Sequence, residues 1–595
     1  MNLDTGFTTS AKDPKMKLWP ETTLSKIVLW VLPPTILVLA GLVLFSSAGR
    51  DDALITYWPA HTLAESGEIL NYNGDRVEQS SSLLQVLALA GLNRLTGINI
   101  VLLGHLFSIV CGALVVICTM VLSHRIDPRT AIPSGFLTAT STFLVYWSYG
   151  GLETTLQTLL VIFLVFALGN LLIHERLGAG RLALTSLTIL GALTCRPEFF
   201  VVLLAVLSGI LVVFSTPLLT RASRRTIDTR VLRWRIILLF TITVLLTISL
   251  FTFRQIYFDN MFPQPVIAKS FHSNLSVDIL TGIKYLIKSS IVSPFAFLVS
   301  IIVAICTVLI VFSIYRKRCE NSFLIISILF VSVQLSFTVF SGGDWMEGGR
   351  FLVPVVPFLS IFVSYSFLNT QISDRIRHLI LSFVVALQVG GLIHFSFNKS
   401  TGIPLWDAIP CYRNFAQNLR MSEFSWFELT NRVHMRDIPM LFQLQSITNS
   451  AIDRKAERVV ILSTFMGMMP YHMSTNYGPE QFHFIDTCGL VERTLTSCGV
   501  TARTPRTPFG LSIDITDYLR VLPEAQRSCI MPNPDIIVGG YRSPSDLGRV
   551  EAYGFEIVYS QEDFVKRETG LIGLGSINAD KIYIGVRREL PDDSN

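Results

Sequence analysis

The chain has 595 residues, half of them hydrophobic and 15% charged, with a formal net charge of +5. A soluble globular protein carries about 25% charged residues, so this composition excludes a string of water-soluble domains. It also lacks the basic excess that a nucleic-acid partner would call for.

A helix crossing a bilayer needs about 20 apolar residues. About eleven runs approach that length: 24–46, 98–122, 131–147, 154–173, 182–195, 198–216, 236–252, 291–314, 323–340, 351–368 and 379–397. The first is too long and uninterrupted for a cleaved signal. Lys12, Lys15, Lys17 and Lys26 stand before or at its start, which places the N-terminus in the cytoplasm. Alternate threading then demands basic even-numbered connections. They carry His124-Arg125 with Arg129, Glu175-Arg176 with Arg181, six arginines from Arg221 to Arg235, Arg316-Lys317-Arg318, and Arg375 with Arg377. The lipid bilayer is therefore a partner, and everything after 397 is expected outside a bacterial inner membrane.

The opposite face presents Asp51-Asp52, Glu153, Arg196-Pro197-Glu198, Pro263 to Lys269 and Gly342 to Arg350. Charge at membrane depth is costly and usually lines a cavity. Any one of these loops alone reads better as solvated helix-end charge; the five together point to one polar site at the outer boundary. The first outer loop, 47–97, is long for a bundle connection. It is expected to hold a helix over 52–66, a turn at Asn71 to Asp75 and a second short helix over 82–95.

Residues 398–595 are more polar and read as a mixed α/β domain following the 1–397 bundle. Strands are expected at Arg458–Ser463, Asp535–Val538, Phe555–Tyr559 and Lys581–Val586, and a helix at 405–421. The fold class is thus an α-helical polytopic membrane bundle with a C-terminal extracytoplasmic α/β domain. Cys111, Cys118, Cys195 and Cys306 sit in apolar runs and suit burial. Cys488 and Cys498 are candidates for a bridge outside the cell, and no cysteine spacing resembles a zinc site.

Asp51 and Asp52 stand where the first helix leaves the lipid. Neighbours on a helix point about 100° apart, so one can act as a base on an acceptor hydroxyl. The other can bind a metal, hold substrate or cap the next helix. Arg350, Lys269 and Arg196 are candidate phosphate ligands, the arginines by virtue of their forked donors. Tyr57, His61, Glu78, Glu153, Glu198, Asp344, Trp345 and Glu347 complete the candidate substrate-binding set. Trp345 suits sugar stacking or interfacial anchoring equally, and Asp344 and Glu347 suit sugar hydroxyls or a divalent cation. A Glu153–Arg196 pair suits a scaffold equally well. Neither a Walker loop nor a Gly-x-Gly-x-x-Gly fingerprint occurs.

Taken in order, these motifs resemble a known family. Asp51-Asp52-Ala53-Leu54-Ile55, Asn73-Gly74-Asp75-Arg76-Val77-Glu78, Gly151-Leu152-Glu153-Thr154, Arg196-Pro197-Glu198, Gly343-Asp344-Trp345 and Arg350 to Pro354 are similar to GT-C glycosyltransferases related to the terminal mycobacterial arabinofuranosyltransferase. Ile485-Asp486 with Gly489-Leu490, and Pro534 to Ile537, look like that family's C-terminal domain. The resemblance implies an inverting enzyme that takes arabinofuranose or another pentose from a polyprenyl-phosphate donor. The acceptor would be a cell-envelope glycan or glycoprotein, and the base would be Asp51 or Asp52. Gln79 to Ser82 replaces the family's Tyr-Thr-Ser/Asn-Pro, and Pro263-Gln264-Pro265 replaces a Pro-Asn-Thr pattern. Ser80 and Gln264 are therefore where a change of sugar or acceptor would be sought. Two other classes remain at this stage: a transporter or flippase of a lipid-linked sugar, and a non-catalytic glycan-binding assembly protein. The repeated halves and midplane charges typical of transporters are not evident.

Overall fold

The structure is a computed structural model. It describes residues 23–45, 51–173, 178–215, 229–270, 275–290, 294–315, 321–344, 348–370, 373–401, 438–454, 458–464, 466–487, 489–494, 533–541, 544–560 and 581–588. The expected helix at 405–421, Cys488, Cys498, Trp345 and Glu347 lie outside the described residues, as does the side chain of Asp51.

The bundle begins with α1 (Thr23–Phe45), followed by α2 (Asp51–Ser66) and α3 (Leu83–Thr96) in the first loop. Then come α4 (Ile100–Ile126), α5 (Ala131–Ala139), α6 (Thr142–Ser148), α7 (Thr154–Ile173), α8 (Ala179–Cys195), α9 (Phe199–Ser215) and α10 (Thr229–Phe258). Two outer segments follow, α11 (Gln264–Ser270) and α12 (Leu275–Ser290). The remaining bundle helices are α13 (Pro294–Tyr315), α14 (Ser322–Phe340), α15 (Val356–Leu368) and α16 (Asp374–Thr401). Seven described helical segments are long and apolar enough to cross a membrane, and 179–195, 199–213 and 298–312 are shorter apolar helices. The protein is a multi-pass integral membrane protein.

One expected span differs. The run 131–147 is two short helices rather than one. The break falls at Thr140-Ser141, where the Thr140 hydroxyl contacts both the Phe136 carbonyl, at 2.8 Å, and Gln388 Oε1, at 2.7 Å. Hydroxyls this close to the backbone offer it an alternative to the helical ladder. The run 351–368 likewise opens as a 3-10 turn, Arg350–Val355, before α15. Pro354 and Pro357 lack the N–H that a continuous helix would use.

Beyond the bundle, α17 (Ile438–Arg454) leads into a five-stranded mixed sheet. Its strands are β1 (Val459–Ser463), β2 (Phe482–Asp486), β3 (Ile536–Tyr541), β4 (Phe555–Ser560) and β5 (Lys581–Arg587), in the order β2-β1-β3-β5-β4. β1 pairs in parallel with β2 and β3, and β5 is antiparallel to β3 and β4. The parallel β1–β2 step needs a crossover, supplied by α18 (Met468–Tyr477). Four strands fall where the sequence places them; β2 is an addition. One apolar core runs continuously from the bundle through the first loop into the sheet.

The first loop is fixed from both sides. Ser82 caps α3 by accepting from Gln85 N, and Gly97 ends it in the left-handed conformation. The Asn73 side chain pairs with both backbone groups of Phe484 in β2: Nδ2 donates to its carbonyl at 2.9 Å, and Oδ1 accepts from its N–H at 2.7 Å. Asn71 Nδ2 donates to the Val491 carbonyl at 3.2 Å. Trp58 stacks on Tyr72 at 5.8 Å and meets Tyr471 of α18 edge-on at 6.0 Å.

Candidate functional site

Lys269 closes α11 and is half-buried. It lies within electrostatic reach of Arg350, Asp344, Arg196 and Asp52. Four loops distant in sequence therefore meet at the sheet-bearing end of the bundle. Burial pushes the Lys269 ammonium below the ordinary lysine range; Arg350 and Arg196 push the same way, against Asp344 and Asp52.

Each guanidinium has its own carboxylates. Arg196 Nη1 donates to Glu153 Oε1 at 2.6 Å and Nε donates to Glu198 Oε1 at 2.7 Å. Burial opposes its charge, but Glu198 and Glu153 more than compensate and hold its pKa above the usual value. Arg350 Nε approaches Asp344 Oδ2 at 2.7 Å. That contact is off-line, so neither atom gains an aligned hydrogen bond. The rings of Trp147 and Phe351 lie 5.9 and 5.6 Å from the Arg350 guanidinium carbon. Three cations thus share a corner with four carboxylates, Asp52, Asp344, Glu153 and Glu198.

Glu153 follows a turn that the bundle holds tightly. Gly151 has φ +74° and accepts at its carbonyl from Tyr57 Oη at 2.9 Å and Gln85 Nε2 at 3.0 Å. A side chain there would be strained by its φ and would meet the Tyr57 hydroxyl. Gly104 of α4 leaves room for the same tyrosine, since a Cβ would lie 2.2 Å from its ring. Tyr57 is fully buried, burial raises its pKa, and its hydroxyl supports the turn.

Asp52 is half-buried in the first turn of α2. Glu78 does not join the corner. Its two oxygens accept from Arg254 Nε and Nη2 at 2.7 and 3.0 Å in a pair that is 4% and 0% exposed. Both Glu78 oxygens are thus engaged by Arg254. His61 instead packs on Trp58, with ring centres 5.5 Å apart. Ser80 and Gln264 are also structural. Ser80 shares a hydrogen bond with Thr56 at 2.8 Å, and Gln264 Nε2 donates to the Gly489 and Glu492 carbonyls at 2.8 and 3.0 Å. Among the described residues no three His, Cys, Asp or Glu side chains gather as a metal site.

The sequence reading omitted Gln85, Trp147 and Tyr285. The hydroxyl of Tyr285 accepts from Phe351 N at 3.2 Å. Gln85 had one available signal, an amide on an otherwise apolar helix; the two aromatics had none. Next to the corner, an apolar cavity of about 530 Å³ lies between α12, α13, α15 and α16. Phe143, Leu286, Val303, Leu335, Leu352 and Gln388 are among its walls.

Two solved structures share this architecture. ArnT from Cupriavidus metallidurans, bound to undecaprenyl phosphate, has a TM-score of 0.52 at 12% identity, covering 95% of this chain and 98% of that one. The apo oligosaccharyltransferase from Archaeoglobus fulgidus has a TM-score of 0.51 at 11% identity, covering 91% of this chain and 73% of that one. No family model matches the chain, and no curated protein matches its sequence. The fold is a polytopic helical bundle with a C-terminal mixed sheet, similar to that of ArnT.

Proposed function

We propose that the protein is a membrane glycosyltransferase that takes a sugar from a polyprenyl-phosphate donor and passes it to a cell-envelope glycan or glycoprotein. Arabinofuranose or another pentose is the sugar favoured by the motif resemblance. The observation that carries the reading is that Arg350, which lies within electrostatic reach of Lys269 as Asp52 does, opens the 3-10 turn Arg350–Val355 whose Leu352 and Val355 line the apolar cavity. A charged corner beside an apolar cavity suits a phosphate head with a hydrocarbon tail. The ArnT structure that shares the fold holds a ligand of that class, which supports the assignment.

The chemistry follows from the parts. The acceptor hydroxyl attacks the anomeric carbon as the bond from that carbon to the phosphate oxygen breaks. The configuration inverts, and the electron pair leaves on polyprenyl phosphate. Asp52, or Asp51, takes the hydroxyl proton. Lys269 and Arg350 stabilise the charge that builds on the departing phosphate. Arg196, saturated by Glu153 and Glu198, keeps the wall in place. The basic connections support an extracytoplasmic position for this end of the bundle, in a bacterial inner membrane.

Incubating purified protein with labelled polyprenyl-phosphate pentoses and hexoses tests the proposal. One donor should be consumed, and Asp51→Asn or Asp52→Asn should lower turnover by about 10²-fold or more while the protein still inserts. No consumption of any donor, or full activity in both variants, would sink it.

A further inference from the structure

Phe351 follows Arg350 of the charged corner in the chain and precedes Leu352, which lines the apolar cavity. Its ring centre lies 5.7 Å from the Arg196 guanidinium carbon and 5.6 Å from that of Arg350. Both distances fall within the roughly 6 Å over which an aromatic face attracts a cation. The ring is itself held: its backbone N–H donates to Tyr285 Oη at 3.2 Å, and the rings of Tyr285 and Phe337 each lie 6.3 Å away. The next residue, Leu352, lines the cavity.

Two guanidiniums close together repel, and their carboxylates do not link them. Glu153 and Glu198 hold Arg196, while Asp344 holds Arg350. The Phe351 ring is in contact range of both. Its negative face offsets part of the repulsion and anchors both forks to one held ring.

We infer that Phe351 is a positioning residue that spaces the Arg196 and Arg350 guanidiniums and thereby shapes the seat of the donor phosphate. The inference rests on the proposed donor class. It separates the shape of the ring from its electron density, because fluorine withdraws density from the face with little change in size.

The test is a series at position 351 in the full-length protein: Phe, then mono-, di- and trifluorophenylalanine, with Phe351→Leu and Phe351→Tyr. Two quantities are read, the donor KM and kcat, and the donor-free thermal midpoint in detergent. The midpoint should fall stepwise with fluorination, and the donor KM should rise and kcat fall stepwise, so that kcat/KM drops about tenfold in F351L. F351Y should recover most of the loss. A flat midpoint series overturns the contact between ring and guanidiniums. A falling midpoint with a constant donor KM overturns the positioning role. A parent protein that consumes no polyprenyl-phosphate sugar overturns the donor reading instead, and the midpoint series still decides the contact.

Discussion

Two clusters of buried charge lie at the sheet-bearing end of the molecule, and they are built differently. Glu78 and Arg254 form a closed pair, one acid and one base joined by two short hydrogen bonds. The corner around Lys269 gathers three cations and four carboxylates without one-to-one matching, and the Arg350–Asp344 contact is poorly aligned. Burial of charge is common to both, so burial alone does not mark a site. In the closed pair both Glu78 oxygens are taken by one arginine, which leaves only Arg254 Nη1 of that guanidinium over, whereas the mixed cluster retains field from several charges for a ligand.

The sharpest way to break this contrast is to open the closed pair. Glu78→Leu leaves Arg254 buried without a counter-charge, and stability should fall by about 3–5 kcal/mol, read as the thermal midpoint in detergent. The double variant Glu78→Leu/Arg254→Leu should recover most of it. If the single variant were stable but slow in transfer, Glu78 would belong to the site after all.

A somewhat smaller effect is expected where the sheet meets the loops. Burial pushes the Glu492 carboxyl up to about 7 from 4.5, and Asp486 adds to the rise against hydrogen bonds from Thr494 and the Asp486 amide. The folded protein therefore holds a proton that the unfolded chain releases. Stability from this group is greatest below about pH 4.5 and declines as pH rises toward 7, by about 3 kcal/mol at most. Midpoints measured from pH 5 to 8 should show that slope, and Glu492→Gln should flatten it.

The smallest effect concerns Lys269. Lys269→Met should raise the donor KM by about tenfold, the scale of one charge-assisted hydrogen bond, with little change in the midpoint. Because the Lys269 ammonium is depressed, parent donor affinity should fall as pH rises, below the ordinary lysine range. Lys269→Arg should hold its affinity over the same interval. An unchanged KM in Lys269→Met would move the phosphate seat elsewhere.

Much of the bundle was legible because hydropathy acts over one helix at a time. The break at Thr140 was not, since it involves Gln388, 248 residues away. β2 was missed because Phe482-His483-Phe484-Ile485-Asp486 places a histidine and an aspartate inside a short run; the strand is buried by neighbours that the local pattern does not reveal. The meeting of Asp52, Lys269, Arg196 and Arg350 could be argued from loop position. The fate of Glu78 could not, because a carboxylate at a membrane boundary looks the same whether its arginine lies 176 residues on or nowhere. The hydrogen bonds of Ser80 to Thr56 and of Gln264 to the Gly489 and Glu492 carbonyls were equally hidden, since each joins residues far apart in the chain.

Asn73 bears on how the protein is made. Its amide grips Phe484, 411 residues later in the chain. At about 5–20 residues per second, synthesis takes roughly 20–80 s to cover that interval. The loop bearing Asp52 emerges early and waits for its final partner, while the sheet edge at β2 has no cover until the loop is seated. Assembly of this end is thus deferred to the last stage of biogenesis, and a chain that stops short of β2 would leave the membrane with a bundle whose first loop lacks its Phe484 partner.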